Sequence, residues 1–413
     1  MNAQAAIKHS PTATEARFDI SELFYSYTNQ RGIVLSGNDV FQRVSHYEWG
    51  ELIGAPHKII RHPDMPKAVF YLLWKTIQAG NLIGAYVKNR AKNGSYYWVY
   101  AVVSPINEGY LSVRLKPVSP LLGTVRELYA EILTAEKAQG LDPEQSAELL
   151  LKRLKELGFS CYEDFMAQAL ATEISARNEA LSRPKNNRIR RLEGIKDCLR
   201  ETKTEIERLA HSFHIIHLTT INLRIYAARF EKNAGALGAI SENYNVLSSL
   251  TTEKLDDFRQ GFDGVADAVR DALLLTAVAA LQSEAAEHMD EASMPVDHVD
   301  EEQEKRRLAE LEDSYRHKAL NSLQVIQSAS AAFMASTEEI MRLAGALDAV
   351  RISCGVESTT LSKSDDAIKE VVTRLETFNA RIDECVTKIA YLNMDLNLGV
   401  KKLIRAAHST IDF

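Results

Sequence analysis

Arg61-His62-Pro63-Asp64-Met65-Pro66, followed by Lys88-Asn89-Arg90 and then Asn93-Gly94-Ser95-Tyr96-Tyr97-Trp98-Val99, is the stretch of this chain whose reading decides its fold. A cationic Arg-His pair with a nearby Asp stands between a helical pattern and an alternating, turn-linked one. That placement has the chemistry to grip a planar, anionic small molecule, because Arg and His neutralise negative charge and aromatic side chains stack on a ring.

Working outward, Phe24 to Leu35 predicts a strand pair around Asn29-Gln30-Arg31-Gly32, and Asn38-Asp39 offers an N-cap for a short helix carrying Val40, Phe41 and Val44. After Asp64 a 3.6-residue period places Val69, Phe70, Leu73, Trp74 and Ile77 on one helical face, with Gly80 positioned to end it. Ala85 to Arg90, Ser95 to Val103 and Tyr110 to Leu115 then alternate as strands, joined through Asn93-Gly94 and Asn107-Glu108-Gly109. The expectation is an α+β domain over residues 18–118, an antiparallel sheet with short helices and a pocket between them, preceded by a flexible tail over residues 1–17.

Pro117, Pro120 and Gly123 close that domain, and the remainder is helical in pattern. Leu128 to Glu136 and Asp142 to Leu157 read as short helices of a connector over residues 119–187, the second opening with the capping-box-like Asp142-Pro143-Glu144-Gln145. A long helix is expected from Ile189 to Phe230, because Pro and Gly are nearly absent there, and a second from Ala239 to His288, interrupted near Gly261 and Gly264. These make a helical hairpin over residues 188–289. An acidic linker containing Pro295 follows over 290–300, and then a second hairpin over 301–413, split around Gly355 to Asp366. Glu205-Ile206-Glu207-Arg208-Leu209-Ala210 recurs as Glu339-Ile340-Met341-Arg342-Leu343-Ala344, so the two hairpins read as a pseudo-repeat forming an all-α bundle or coiled coil.

At 413 residues the chain exceeds one ordinary core, and two or three domains are expected. The net charge of -7 gives no basic footprint for nucleic acid. The four cysteines, Cys161, Cys198, Cys354 and Cys385, show no C-x-x-C spacing, so a reducing compartment fits better than a disulfide framework or a zinc site. The longest apolar run, Ala272 to Leu281, is about half of the ~20 residues a membrane helix needs. No membrane insertion and a cytoplasmic location are expected, and residues 1–17 lack an apolar signal core. No Ser or Cys elbow accompanies His62, so no enzymatic activity is expected. His211, His214 and His217 share a helical stripe, read as packing and not as a metal site.

With these residues in place, Phe41 to Arg114 resembles the PAS domain of bacterial aerotaxis receptors, which bind FAD. The resemblance rests on Asn38, Glu51-Leu52-Ile53-Gly54-Ala55-Pro56-His57, Arg61 to Pro66, Trp74, Lys88-Asn89-Arg90, Asn93-Gly94, Tyr97-Trp98-Val99 and Ser112-Val113-Arg114. It implies a flavin neighbourhood made by Asn38, Arg61, His62, Asp64, Trp74, Asn89, Arg90 and Trp98. Leu82 stands where the family carries a Trp, which implies the loss of one aromatic wall. Haem is the lesser alternative, with His46, His57 or His62 as ligand. Ile215 to Ser248 is similar to the hairpin tip of methyl-accepting chemotaxis receptors, although Asn243-Tyr244-Asn245 replaces the family's Glu-Val-Arg step. That resemblance implies a chemotaxis histidine kinase and coupling protein as partners; a homodimer is expected from the long helices that would carry the signal. The function expected is a cytoplasmic redox or oxygen sensor of the aerotaxis type; the alternative is a PAS-containing adaptor or scaffold without cofactor.

Overall fold

Strands rich in aromatic and β-branched residues assemble the N-terminal domain: β1 (Leu23–Asn29), β2 (Val34–Gly37), β3 (Ile83–Arg90), β4 (Tyr96–Ile106) and β5 (Gly109–Leu115). The structure is a computed structural model and describes residues 12, 14–229, 234–291, 301–361 and 366–408. The strands form one antiparallel sheet in the order β2-β1-β5-β4-β3. The β4–β5 hairpin turns through Asn107 and Glu108 into Gly109, where an added Cβ would lie 1.9 Å from the Thr28 carbonyl oxygen of β1, so only glycine admits that pairing.

Between β2 and β3 lie α1 (Asp39–Ser45), α2 (Trp49–Leu52), a single 3₁₀ turn (His57–Ile60) and α3 (Lys67–Gln78), ended as expected by Gly80 at φ +81°. This is the PAS fold: an antiparallel five-stranded sheet with short helices packed on one face.

Both sheet edges are closed. At β2, Val34 donates to the Ala55 carbonyl and Gly54 to that of Val34, each at 2.9 Å. At β3, the hydroxyls of Tyr162 and Tyr129 donate to the carbonyls of Gly84 (3.1 Å) and Tyr86 (3.2 Å). A third strand position is covered too. Tyr96 to Val99 extend beyond β5, whose pairing starts at Tyr100, and leave backbone groups that the N-terminal segment satisfies: Tyr96 donates to Thr14 O (3.0 Å), and Ala16 to Tyr96 O (2.7 Å). The tail expected over residues 1–17 is therefore fastened to the sheet from Thr14 onward, while residues 1–11 lie outside the described residues.

The connector contains α4 (Leu121–Gln139), α5 (Pro143–Glu156) and α6 (Tyr162–Ala180). The capping box at α5 is present, with Asp142 and Gln145 bonded reciprocally at 2.9 and 3.1 Å. Sequence reading missed α6. It buries residues around most of its circumference, among them Phe165, Ala167, Ala169, Leu170, Ala171 and Ile174, so it carries no single apolar stripe to betray its period.

Four long helices follow: α7 (Asn187–Arg229), α8 (Ala234–Glu291), α9 (Glu301–Leu361) and α10 (Asp366–His408). The break expected in α8 at Gly261 and Gly264 does not occur. Gly261 is a packing glycine, beside which the Phe333 ring fits at 3.7 Å from the place of a Cβ. The expected linker enters α8 as far as Glu291, and its residues 292–300 lie outside the described residues.

The chain divides into two compact units. Among the described residues, the first holds those up to 189 and those within 273–319, the second those within 190–272 and from 320 onward. In the second, Phe258 stacks on Phe333 at 4.9 Å between centroids, and Gly399 admits Ile195. Buried polar contacts between its helices include Tyr244 to Asn379 Oδ1 (2.9 Å) and Asn393 to Thr337 Oγ1 (2.7 Å), and a half-exposed Lys388 pairs with buried Glu205 (2.7 Å). Ile206 and Ile340 of the recurring hexapeptides are both buried, whereas Glu205 is buried and Glu339 half-buried.

In the first unit, Glu173 of α6 is fully buried and accepts from Tyr86 (2.7 Å), Val118 N (2.7 Å), Ser119 N (3.0 Å) and Ser119 Oγ (2.6 Å). Glu173→Ala orphans these donors together, and urea denaturation should show a loss of about 3 kcal/mol or more, with Glu173→Gln losing less.

Candidate functional site

Successive strand residues face opposite sides of the sheet. On one side Ser26, Thr28, Val87, Asn89, Ala101, Val103, Tyr110, Ser112 and Arg114 face the helices and, with them, enclose a cavity of about 400 Å³. This is within the range of small-molecule sites, about 300–1,000 Å³. The opposing wall is the apolar face of α3, where Phe70, Leu73, Trp74 and Ile77 lie at the spacing read from the sequence, joined by Ile60. Trp74 meets Tyr110 edge-on at 5.8 Å, and Gly32 makes room for the indole: a Cβ there would be 2.9 Å from it.

Against this apolar wall the sheet presents polar groups that the described residues leave unbonded or without a counter-charge. The Ser112 hydroxyl is buried and unbonded, and the Asn89 carboxamide makes no hydrogen bond among the described residues. Arg114 is 5% exposed and has no carboxylate partner among the described residues. Its guanidinium donates to Ser26 Oγ (3.0 Å) from two nitrogens and to His57 Nε2 (2.8 Å), and lies 5.8 Å from the Phe41 ring centroid. Burial lowers its pKa to about 10.

Because an arginine only donates, His57 Nε2 must accept, and the imidazole is neutral with its proton on Nδ1. Burial, reinforced by the Arg114 charge, brings the His57 pKa down to about 3. A buried cation answered only by a hydroxyl and a neutral ring is a costly arrangement unless a ligand completes it.

Of the eight residues expected to surround a ligand, Arg61, Trp74 and Asn89 line this cavity. Arg61 stands beside it with its guanidinium over the Phe70 ring at 3.7 Å, near exposed Arg31 and Lys58. The other five do not line it. Asn38 is consumed as the N-cap of α1: its Oδ1 accepts from Tyr25 N (3.1 Å) and Phe41 N (3.2 Å), and its Nδ2 donates to Leu23 O (2.7 Å). His62 is buried away from it, its Nδ1 accepting from Asp64 N at 3.1 Å. Burial, then Lys88, holds its pKa down at about 4, so the 3.5 Å approach to the Asp64 carboxylate is not an ion pair near neutral pH. Asp64 is exposed and pairs with Lys88 at 2.7 Å. Arg90 and Trp98 alternate onto the far face of the sheet, where Arg126 of α4 covers the Trp98 ring at 5.5 Å.

Sequence reading undervalued Arg114 and His57. Arg114 stood in the quoted Ser112-Val113-Arg114 step, and its parity with Ser112 was the signal that put both on the cavity face. Leu82 precedes β3 and does not line the cavity. Of the haem-ligand candidates, His46 is exposed at the C-cap of α1 and His62 lies outside the cavity. The side chains of His214 and His217, and of most of the stretch similar to a receptor tip, lie outside the described residues; no metal-holding His/Cys/Asp/Glu cluster occurs among those described.

Residues 34–113 match the family model described as PAS fold. The chain is similar to the aerotaxis receptor of Escherichia coli (strain K12), 40% identical over 109 residues, 25% of this chain and 22% of the receptor. It thus spans about a fifth of the length of that curated relative. Similar solved structures include a PAS domain from Colwellia psychrerythraea, at 18% identity over 23% of this chain and 85% of that one, TM-score 0.20. A fungal LOV domain photoreceptor is 20% identical over 26% of this chain and 81% of that one, TM-score 0.20.

The two depressed histidines set a pH dependence. Their folded pKa values lie below the unfolded value near 6.5, so the unfolded chain takes up protons first. Their contribution to stability is whole above about pH 6.5 and is lost as pH falls toward 4, by up to about 1.4 kcal/mol per pH unit per histidine. Urea midpoints between pH 7 and 4.5 should fall along this slope, and His62→Asn should flatten it.

Proposed function

We propose that this chain is a non-enzymatic sensor whose PAS cavity holds FAD and reports its redox state, as an oxygen or energy signal, to the long helices. The observation that carries the reading is the pairing of an aromatic and aliphatic wall with a facing sheet on which, among the described residues, the Asn89 carboxamide and Ser112 hydroxyl have no hydrogen-bond partner and Arg114 has no carboxylate. An isoalloxazine ring matches that pairing, with an apolar body and one edge of alternating donors and acceptors. When bound, it supplies one- and two-electron redox chemistry, with negative charge gathering on its pyrimidine edge in reduced forms.

The residues divide the work. Trp74, Phe70 and Leu73 would bury the ring and exclude water, and Asn89 and Ser112 would orient its polar edge. Arg114 holds a fixed positive charge where new negative charge would gather, which gives two redox states different interaction free energies with the protein. His57, neutral, keeps that guanidinium in place without competing for its charge. Arg61, with Arg31 and Lys58, offers cations for a pyrophosphate. The His57 Nε2, already occupied by Arg114, weighs against haem.

The similarity to an aerotaxis receptor over the PAS region supports a signalling role. No helix among the described residues is long and apolar enough to cross a membrane, and we place the sensor in the cytoplasm, as a homodimer acting on a chemotaxis-type kinase and coupling protein.

Purified chain reconstituted with FAD should retain a flavin absorption doublet with quenched fluorescence. Arg114→Ala and Asn89→Ala should each weaken retention at least about tenfold while far-UV dichroism is kept. Folded protein that takes up no flavin would sink this reading and leave the cofactor-free adaptor.

A further inference from the structure

The cavity uses one face of the sheet, and the other face is occupied by helices of the same compact unit. Tyr86 and Tyr100 are tied to α6, through Glu173 (2.7 Å) and Met166 O (2.9 Å). The β1–β2 corner is held differently. There the first turns of α9 dock, through a carboxylate. Glu304, 3% exposed, accepts from the Tyr25 hydroxyl and from Ser36 Oγ (2.9 Å), and pairs with Arg307 at 2.7 Å. Arg307 lies 4.3 Å from the centroid of Tyr27, and two turns on, Tyr315 donates to Ser104 Oγ of β4 at 3.0 Å. Leu308 and Leu311 are buried between these anchors.

The two faces meet in β1. Ser26, which takes both hydrogen bonds from Arg114 on the cavity side, stands between Tyr25 and Tyr27, which carry the contacts to α9. Ser26 is paired in register with Ser112, and Phe24 with Arg114. Any turning of the guanidinium toward charge in the cavity gives up the Ser26 bonds, and the backbone that Ser26 shares with both tyrosines is free to shift. The α9 contact is the one to feel it, being built on a buried carboxylate, which resists being left with partners out of place.

We propose that residues 301–315 of α9 form a latch on the outer face of the sheet, held through Glu304, and that negative charge arriving in the cavity loosens it through Arg114, Ser26 and β1. The proposal rests on the flavin reading above and adds the element that flavin state controls. The polar part of the anchor favours release: separating it returns a carboxylate and an arginine to water, where each is well solvated, which offsets part of the cost of exposing Leu308 and Leu311.

The test is amide hydrogen exchange on the full chain loaded with FAD, oxidised and dithionite-reduced, with flavin absorbance read on the same samples. Exchange across 304–315 should be at least about tenfold faster in the reduced sample. The double variant Tyr25→Phe, Ser36→Ala removes the hydroxyls that hold Glu304 without touching the cavity lining proposed to bind the ring. It should speed exchange there in the oxidised sample by a similar factor and change FAD affinity by less than about twofold. If flavin binds and is reduced but exchange across 304–315 is equal in both states, or if the double variant exchanges like the parent, the latch is overturned and the sensor reading stands. If no flavin is retained, the sensor reading falls and the latch control falls with it.

Discussion

The constraint on which the first compact unit depends is that its sheet is buried on both faces while its side chains alternate between them. Each strand must therefore satisfy two environments at once. On the helical face the polar groups are answered by protein: Tyr86 by Glu173, Tyr100 by the Met166 carbonyl, Ser104 by Tyr315, Tyr25 and Ser36 by Glu304. On the cavity face, among the described residues, the Asn89 and Ser112 side chains are left without partners and Arg114 without a counter-charge. The contrast between the two faces, more than the volume of the cavity, marks one side as structural and the other as a place for a ligand.

The buried charges sharpen that contrast. Arg177, 1% exposed, faces Glu284 at 2.7 Å, and Glu205 in the second unit faces Lys388 at the same distance. Glu304 has Arg307 and two hydroxyl donors. Each of these is the arrangement expected when an ion is removed from water. Arg114 breaks the pattern with a hydroxyl and a neutral imidazole as its polar partners, and its lowered pKa and that of His57 share one main cause, desolvation, to which the Arg114 charge adds at His57. A fold that keeps such a cation gains from whatever anion or electron-rich edge enters the cavity.

α3 has a part in this as the movable-looking wall that is in fact clamped. Its N-cap is Pro66, which has no side chain able to cap, and the connector supplies the missing acceptors: Glu136 of α4 takes Lys67 N at 2.7 Å and Ser146 of α5 takes Ala68 N at 3.3 Å. Tyr71 adds a bond to Glu144 at 2.8 Å. The helix that carries Trp74 is thereby fixed from outside the PAS fold, so the connector belongs to the site's architecture as much as the strands do. In the second unit the buried Asn379 serves a different end: its carboxamide is met at both ends, by the Tyr244 hydroxyl and the Leu347 carbonyl, and would be unmet in another alignment of the helices, which selects one register.

By itself the sequence determined the strands, the α3 face and the long helices, because period-two and period-3.6 burial is a local property that composition records directly. It also marked Arg61, Trp74 and Asn89. Only the tertiary structure decided between the two readings of Asn38, which served equally as a helix cap and as a ligand residue until its three partners proved to be backbone groups. It alone placed His62, Arg90 and Trp98 off the cavity and brought His57 onto Arg114, residues far apart in the chain. The reason is physical: which groups share a cavity depends on strand order and register across the sheet, set by pairings of high sequence separation such as β1 with β5, and α6 was hidden because burial on all sides erases the period that would reveal it.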